Sequence, residues 1–159
     1  MGEKLKADKI DLKILDKLQE DCTANLDVIS EHAGLSSASC HRRIKKLESE
    51  GFIKAKKAQL DEKKLGFQVT AVFLVALDKD TSDVDHKMQR ILATRPEVMQ
   101  CYLITGAYDF AMVAKFRDAS DYTDYIYHFL ETYDDLAIKN YSSHLVVRTL
   151  REKNALPLL

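Results

Sequence analysis

The sequence predicts an α+β fold in two domains: three helices in a helix-turn-helix order, then a βαββαβ domain of ferredoxin-like order. Three observations carry this. Apolar residues recur at helical spacing through the first fifty residues, with polar caps and glycines at the breaks. From Phe67 onward, segments of two-residue alternation take turns with segments of helical periodicity. Between the two patterns lies a polar stretch, AQLDEKKLG, ending at Gly66. The boundaries that follow are 1–57 for the helical domain, 58–66 for the linker and 67–159 for the second domain.

In the helical part, Ile10, Ile14, Leu15 and Leu18 share one face, so residues 9–20 read as an amphipathic helix capped by Asp8. Asn25 caps a short second helix whose apolar face is Leu26, Ile29 and Ala33. Gly34 follows the last apolar position, where a chain leaving a helix often needs a positive φ. Ser36 caps a third helix that runs to about Ser49 and is stopped by Gly51. Helix, helix, tight glycine turn, helix is the layout of a helix-turn-helix unit.

The third helix divides into two faces. Cys40, Ile44 and Leu47 form a narrow apolar stripe, while Ala38, Arg42, Lys45 and Ser49 lie opposite, flanked by Ser39, His41 and Lys46. A recognition helix needs this division: small residues near its N-terminus let it enter the major groove, Arg can pair with guanine, and Lys can meet phosphates. Candidate DNA-contacting residues are therefore Ser37, Ser39, His41, Arg42, Arg43, Lys45 and Lys46, with Arg43 nearer the core boundary, anchoring either a phosphate or an acid of the bundle. The same composition on an isolated helix would be only a solvated basic face; the preceding turn favours the DNA reading. Net charge is −1 for 159 residues, but the bases gather at 41–57, and a local basic stripe is what a phosphate backbone meets. Lys54, Lys56 and Lys57 follow Phe52 and Ile53 in a strand-like stretch and either flank DNA or solvate the linker.

The second part opens with a strand, FQVTAVFLVAL (67–77), apolar on both alternating sets. Val84, Met88, Ile91 and Leu92 mark a helix over 81–95, barred from continuing by Pro96. Strands follow at 98–105 and 110–116, a helix at 119–133 and a long strand at 138–150. This order predicts an antiparallel four-stranded sheet with both helices on one face. Because the first strand is apolar on both sides, the helix-free face needs a partner, and a second copy of the chain is the simplest one. A homodimer also suits DNA, since two recognition helices can address two half-sites. The Tyr residues at 122, 125, 127 and 133 read mainly as packing or interface residues.

Other chemistry finds little support. Cys22, Cys40 and Cys101 are far apart and form no C-x-x-C pair, and the histidines at 32, 41, 86, 128 and 144 do not pair at metal-ligand spacing. No Ser or Cys sits in a nucleophile elbow, and Asp134-Asp135 read as solvated loop carboxylates rather than a catalytic pair. No metal, cofactor or enzymatic activity is expected. The charged start, MGEKLKADKID, lacks the apolar segment of a secretory signal, and no apolar run reaches the ~18 residues of a membrane helix. A cytoplasmic protein with no membrane partner is expected. The turn Thr105-Gly106-Ala107-Tyr108-Asp109 stands out, because a glycine N–H can approach a ligand carboxylate and Asp109 can pair with an α-amino group.

Together these residues resemble the Lrp/AsnC family, the leucine-responsive or feast/famine regulators of bacteria and archaea. The N-terminal carriers are Asp11-Leu12-Lys13-Ile14-Leu15-Asp16-Lys17-Leu18, Gly34-Leu35-Ser36, and Arg43-Ile44-Lys45-Lys46-Leu47-Glu48-x-x-Gly51-Phe52-Ile53. The C-terminal carriers are Pro96-Glu97-Val98, Thr105-Gly106-Ala107-Tyr108-Asp109-Phe110, and the tail from Ser143 through Leu158. The resemblance covers about residues 8–158. It implies a winged-type helix-turn-helix, a ligand-binding domain called RAM, dimers that often assemble to octamers, and an amino-acid effector. It places the effector between dimers, near Gly106, Ala107, Tyr108 and Asp109, with the loop at Tyr133 and Asp134 facing them. The chain departs from many members at Cys22-Thr23, where a Gly-Arg pair is common, and at Arg151, where Lys is frequent. The implied function is a double-stranded-DNA-binding transcription regulator modulated by an amino acid. The alternatives are a DNA-organising protein with little effector response, or a small enzyme or regulatory subunit on the ferredoxin-like domain.

Overall fold

The computed structural model describes residues 7–78, 83–132, 137–153 and 155–159. They form two compact units: the described part of Met1–Gln59 together with Arg151–Leu159, and Leu60–Leu150.

The first unit is built on helices α1 (Lys9–Glu20), α2 (Leu26–Ala33) and α3 (Ser37–Ser49). Each begins where a short polar side chain takes up backbone N–H groups that have no partner inside the helix. Asp8 Oδ1 accepts from the N–H groups of Ile10 and Asp11 at 2.9 and 2.8 Å, and Asp11 Oδ2 accepts from Asp8 N–H at 3.1 Å, a reciprocal capping box. Asn25 and Ser36 cap the other two helices through Asp27 N–H and Ser39 N–H. Gly34, at φ 70°, supplies the left-handed residue that turns α2 toward α3, and Leu35 N–H closes back on Ser30 O at 2.8 Å. Ile14, Leu18, Ile29, Ala33, Cys40, Ile44 and Leu47 meet in one core. The tail joins this unit: Gln19 Nε2 donates to Leu156 O and Leu156 N–H donates to Gln19 Oε1, both at 2.8 Å. The strand-like stretch expected from Phe52 to Lys57 forms no strand.

The second unit contains β1 (Val69–Leu77), α4 (Val84–Leu92), β2 (Val98–Leu103), β3 (Phe110–Phe116), α5 (Ala119–Thr132) and β4 (Ile138–Leu145). The strands lie in the order β2-β3-β1-β4, with every neighbouring pair antiparallel. This is the βαββαβ arrangement read from the sequence. Ala71, Phe73 and Val75 of β1 and Phe110, Met112, Ala114 and Phe116 of β3 share one face and pack with Met88 of α4 and Tyr125 and Phe129 of α5. Five aromatic rings run through that core; Phe73–Tyr125 and Phe116–Tyr125 have centroids 5.4 and 5.2 Å apart. On the other face, Val72, Leu74, Ala111 and Val113 are only partly buried, with Tyr102 of β2 exposed beside them.

Several ends differ from expectation for local reasons. Helix α4 runs from Val84, and residues 81 and 82 of the expected helix lie outside the described residues; Asp83 sits at φ 85° and makes no side-chain cap. It stops at Leu92, before Pro96, in a turn where Thr94 Oγ1 donates to Ile91 O at 2.9 Å. Strand β4 ends at Leu145 rather than 150 because its partner runs out: Leu145 faces Ala71, Val146 N–H reaches Thr70 O, and β1 begins at Val69.

Candidate DNA interface and effector turn

The recognition helix α3 is seated by its apolar stripe. Cys40, Ile44 and Leu47 are buried, which turns Ala38, His41, Arg42, Lys45 and Lys46 outward to solvent. The two serines of the predicted set are partly buried and engaged in the turn. Ser37 Oγ donates to Asp27 Oδ1 of α2 at 2.7 Å, tying the two helices together. Ser39 lies under the Ser36 cap, which donates to Ser39 Oγ at 3.1 Å.

Arg43 points back into the bundle. Its Nη1 donates to Asp8 Oδ2 at 2.8 Å and to Asp11 Oδ1 at 2.7 Å. Asp11 is only 5% exposed, so this guanidinium satisfies a carboxylate that water barely reaches. The Asp11 N–H and the Arg43 guanidinium hold the Asp8 carboxyl below its ordinary range, and the two acids in turn raise the Arg43 pKa. The same contact fixes the orientation of α3 on α1. Arg42, Arg43 and Lys46 then border a shallow depression with Asp8 and Asp11.

In the sequence Glu48 stands among the bases of 41–57. In the structure its two oxygens each take an ammonium: Lys45 Nζ lies 2.9 Å from Oε2 and Lys56 Nζ 2.8 Å from Oε1. Lys56 and then Lys45 pull its carboxyl down to about 2. Lys46 pairs more loosely with Glu50, at 3.8 Å. No spacing rule would have found the Lys56 contact, because Lys56 lies outside the helix.

In the second unit, Gly106 sits at φ 123°, a region open to glycine but strained for other residues. Thr105, Gly106 and Ala107 are exposed, while Tyr108 and Asp109 are partly buried. Asp109 is built into the sheet where β1 ends and β3 begins. Its Oδ2 accepts from Leu77 N–H at 2.8 Å, its own N–H donates to Val75 O at 2.9 Å, and Ile104 N–H donates to its carbonyl at 2.8 Å. The turn 104–109 is thereby pinned to the end of β1. Tyr133 and Asp134, the residues expected to face this turn, lie outside the described residues.

Known proteins give both halves a context. Residues 8–54 match the winged helix-turn-helix DNA-binding domain, and residues 70–156 match the Lrp/AsnC ligand binding domain. The glutamate uptake regulatory protein of Zymomonas mobilis is 32% identical over 153 residues, covering 96% of this chain and 92% of that protein. The DNA-binding transcriptional activator DecR of Escherichia coli (strain K12) is 28% identical over 151 residues, covering 95% and 98%. A transcriptional regulator from Neisseria meningitidis, solved as a complex with L-Met, superposes with a TM-score of 0.84 at 28% identity, covering 96% of this chain and 97% of that one. An AsnC family transcriptional regulator from Agrobacterium tumefaciens gives 0.86 at 27% identity, with the same coverage. With a helix-turn-helix at one end and a ligand-binding sheet domain at the other, this chain belongs to the Lrp/AsnC family of DNA-binding transcription regulators.

Proposed function

We propose that the chain acts as a homodimer or higher assembly on double-stranded DNA, and that an amino acid bound at the turn 106–109 biases that assembly or its DNA affinity. It works as a regulator rather than an enzyme, in the cytoplasm; no described helix is long and apolar enough to cross a membrane. The observation that carries the DNA reading is the two-faced α3, with His41, Arg42, Lys45 and Lys46 outward above a buried stripe. Arg42 and His41 address bases, Lys45 and Lys46 address phosphates, and Ser37, Ser39 and Arg43 hold the helix at its working angle.

The half-buried apolar face of the sheet supports the dimer, since a second copy would cover Val72, Leu74 and Val113. The octamer rests on the family resemblance. The effector reading is supported by the solved Neisseria relative, which carries L-Met, and by the glycine backbone at the turn. An effector regulates only through a difference in affinity between two states, and a site shared by two dimers supplies one.

Thermal unfolding against the twenty amino acids, one at a time at millimolar concentration, tests this. A ligand of the folded state raises the midpoint in a concentration-dependent way. The informative variant is Asp109→Asn, because an amide oxygen still accepts from Leu77 N–H while the charge facing an α-ammonium is gone. The expected result is a rise with one or a few amino acids that Asp109→Asn loses. A rise retained in Asp109→Asn removes Asp109 from the site. A second reading, a DNA-organising protein with little effector response, draws on the engagement of Asp109 by Leu77; it wins if no amino acid shifts the midpoint while DNA still binds.

A further inference from the structure

We infer that Glu48 is a specificity-determining positioning residue of the DNA interface: its carboxylate bridges Lys45 of α3 and Lys56 of the segment beyond it, and so restrains two charges that would otherwise seek any phosphate. The inference rests on the DNA-binding reading of α3. Lys45 and Lys56 approach opposite oxygens of one carboxylate at 2.9 and 2.8 Å, so each carboxylate oxygen has its own ammonium. The trio presents one net positive charge where two lysines alone would present two.

That difference bears unequally on two kinds of complex. Binding to arbitrary sequence is carried by phosphate neutralisation, with counterion release setting both its strength and its salt dependence. Mobile lysines serve it best, since they can take whatever phosphate is nearest. Binding to a chosen sequence adds base contacts from His41 and Arg42, with which Glu48 makes no hydrogen bond or ion pair. There the helix lies in one register and the lysines are needed in one place. Exposed ion pairs are weak and screened by salt, so the bridge yields to a well-placed phosphate instead of blocking it. The two partner lysines come from different segments, 11 positions apart in sequence, so the carboxylate also fixes the residues after Ile53 against the recognition helix.

The experiment uses the full chain and two duplexes: the tightest recovered from a random pool by binding selection, and a shuffled sequence of equal length. Affinity is measured across a salt series for wild type, Glu48→Gln, Lys56→Gln and the double variant. Glu48→Gln is expected to bind the shuffled duplex several-fold more tightly, with a salt slope steeper by about 0.9, the value for one further phosphate contact. The selected duplex gains less, so the ratio between the two falls. In the Lys56→Gln background the effect of Glu48→Gln shrinks, because half of the bridge is already absent. Unchanged affinity for the shuffled duplex overturns the inference. So does an equal gain on both duplexes, or an effect undiminished without Lys56; either would make Glu48 one unit of charge and nothing more. Thermal midpoints matching wild type establish that the variants are folded, and Glu48→Ala replaces any that is not. Failure of wild type to bind either duplex would remove the DNA-binding reading as well, which separates the two failures.

Discussion

In the helical unit, apolar residues from all three helices converge on one cluster, from Ile14 to Leu47, and much of the charge outside it is tied in pairs. In the sheet unit, β1 and β3 bury one set of side chains under α4 and α5 and leave Val72, Leu74, Ala111 and Val113 half-covered. A helix has one stripe to hide, and three helices can hide theirs among themselves. A sheet has two faces, and two helices cover only one. The helices of the first unit therefore close their core among themselves, whereas the sheet of the second keeps one apolar face only partly covered.

The sharpest way to separate the units is to empty one core. Phe116 is 2% exposed and packs against Phe73, Tyr122 and Tyr125. Phe116→Ala should cost about 3–5 kcal/mol. Scanning calorimetry should show the sheet unit's transition falling while the helical unit's stays; a common shift would show that they melt as one.

The open face is tested by placing a charge in it. Leu74→Glu should weaken self-association at least ~100-fold, about 3 kcal/mol, by sedimentation equilibrium, because the buried carboxylate would lack a partner. An unchanged dimer would put the interface elsewhere.

The smallest effect concerns the charges of the helical unit. Arg43→Met leaves Asp11 Oδ1 buried without the donor that Arg43 supplies and should lower stability by about 1–3 kcal/mol. Part of the contribution depends on pH. The Asp8 carboxyl is held below its ordinary value, so its share of stability is complete above the unfolded value, about 3.9, and is lost as pH falls through the lower folded value. The gap in midpoint between wild type and Arg43→Met should narrow as pH drops below about 4. A constant gap would mean that packing, not charge, is what Arg43 supplies.

What the sequence made legible follows the same division. The caps at Asp8, Asn25 and Ser36 and the glycine turn at Gly34 are local rules, and each forms as read. The order and pairing of the strands also followed, because alternation marks strands and the βαββαβ order leaves few topologies. Strand ends were less legible: β4 stops opposite the start of β1, which its own residues do not record. The pairings that set the site were hidden for the same reason. Arg43 reaches residues 32 and 35 positions away, and Asp109 reaches Leu77 across 32. A sequence shows that a charge is present, while only the fold decides which partner it meets.

The short exchange between Gln19 and Leu156 makes the helical unit discontinuous along the chain. A ribosome delivers its three helices first, then the whole sheet unit, and only afterwards the residues that dock beside α1. Domains tend to fold in the order of their synthesis. The helices thus emerge before the sheet unit and the tail that docks beside α1 after it, so a nascent chain holding the entire sheet unit still lacks the Gln19–Leu156 contacts of the helical unit.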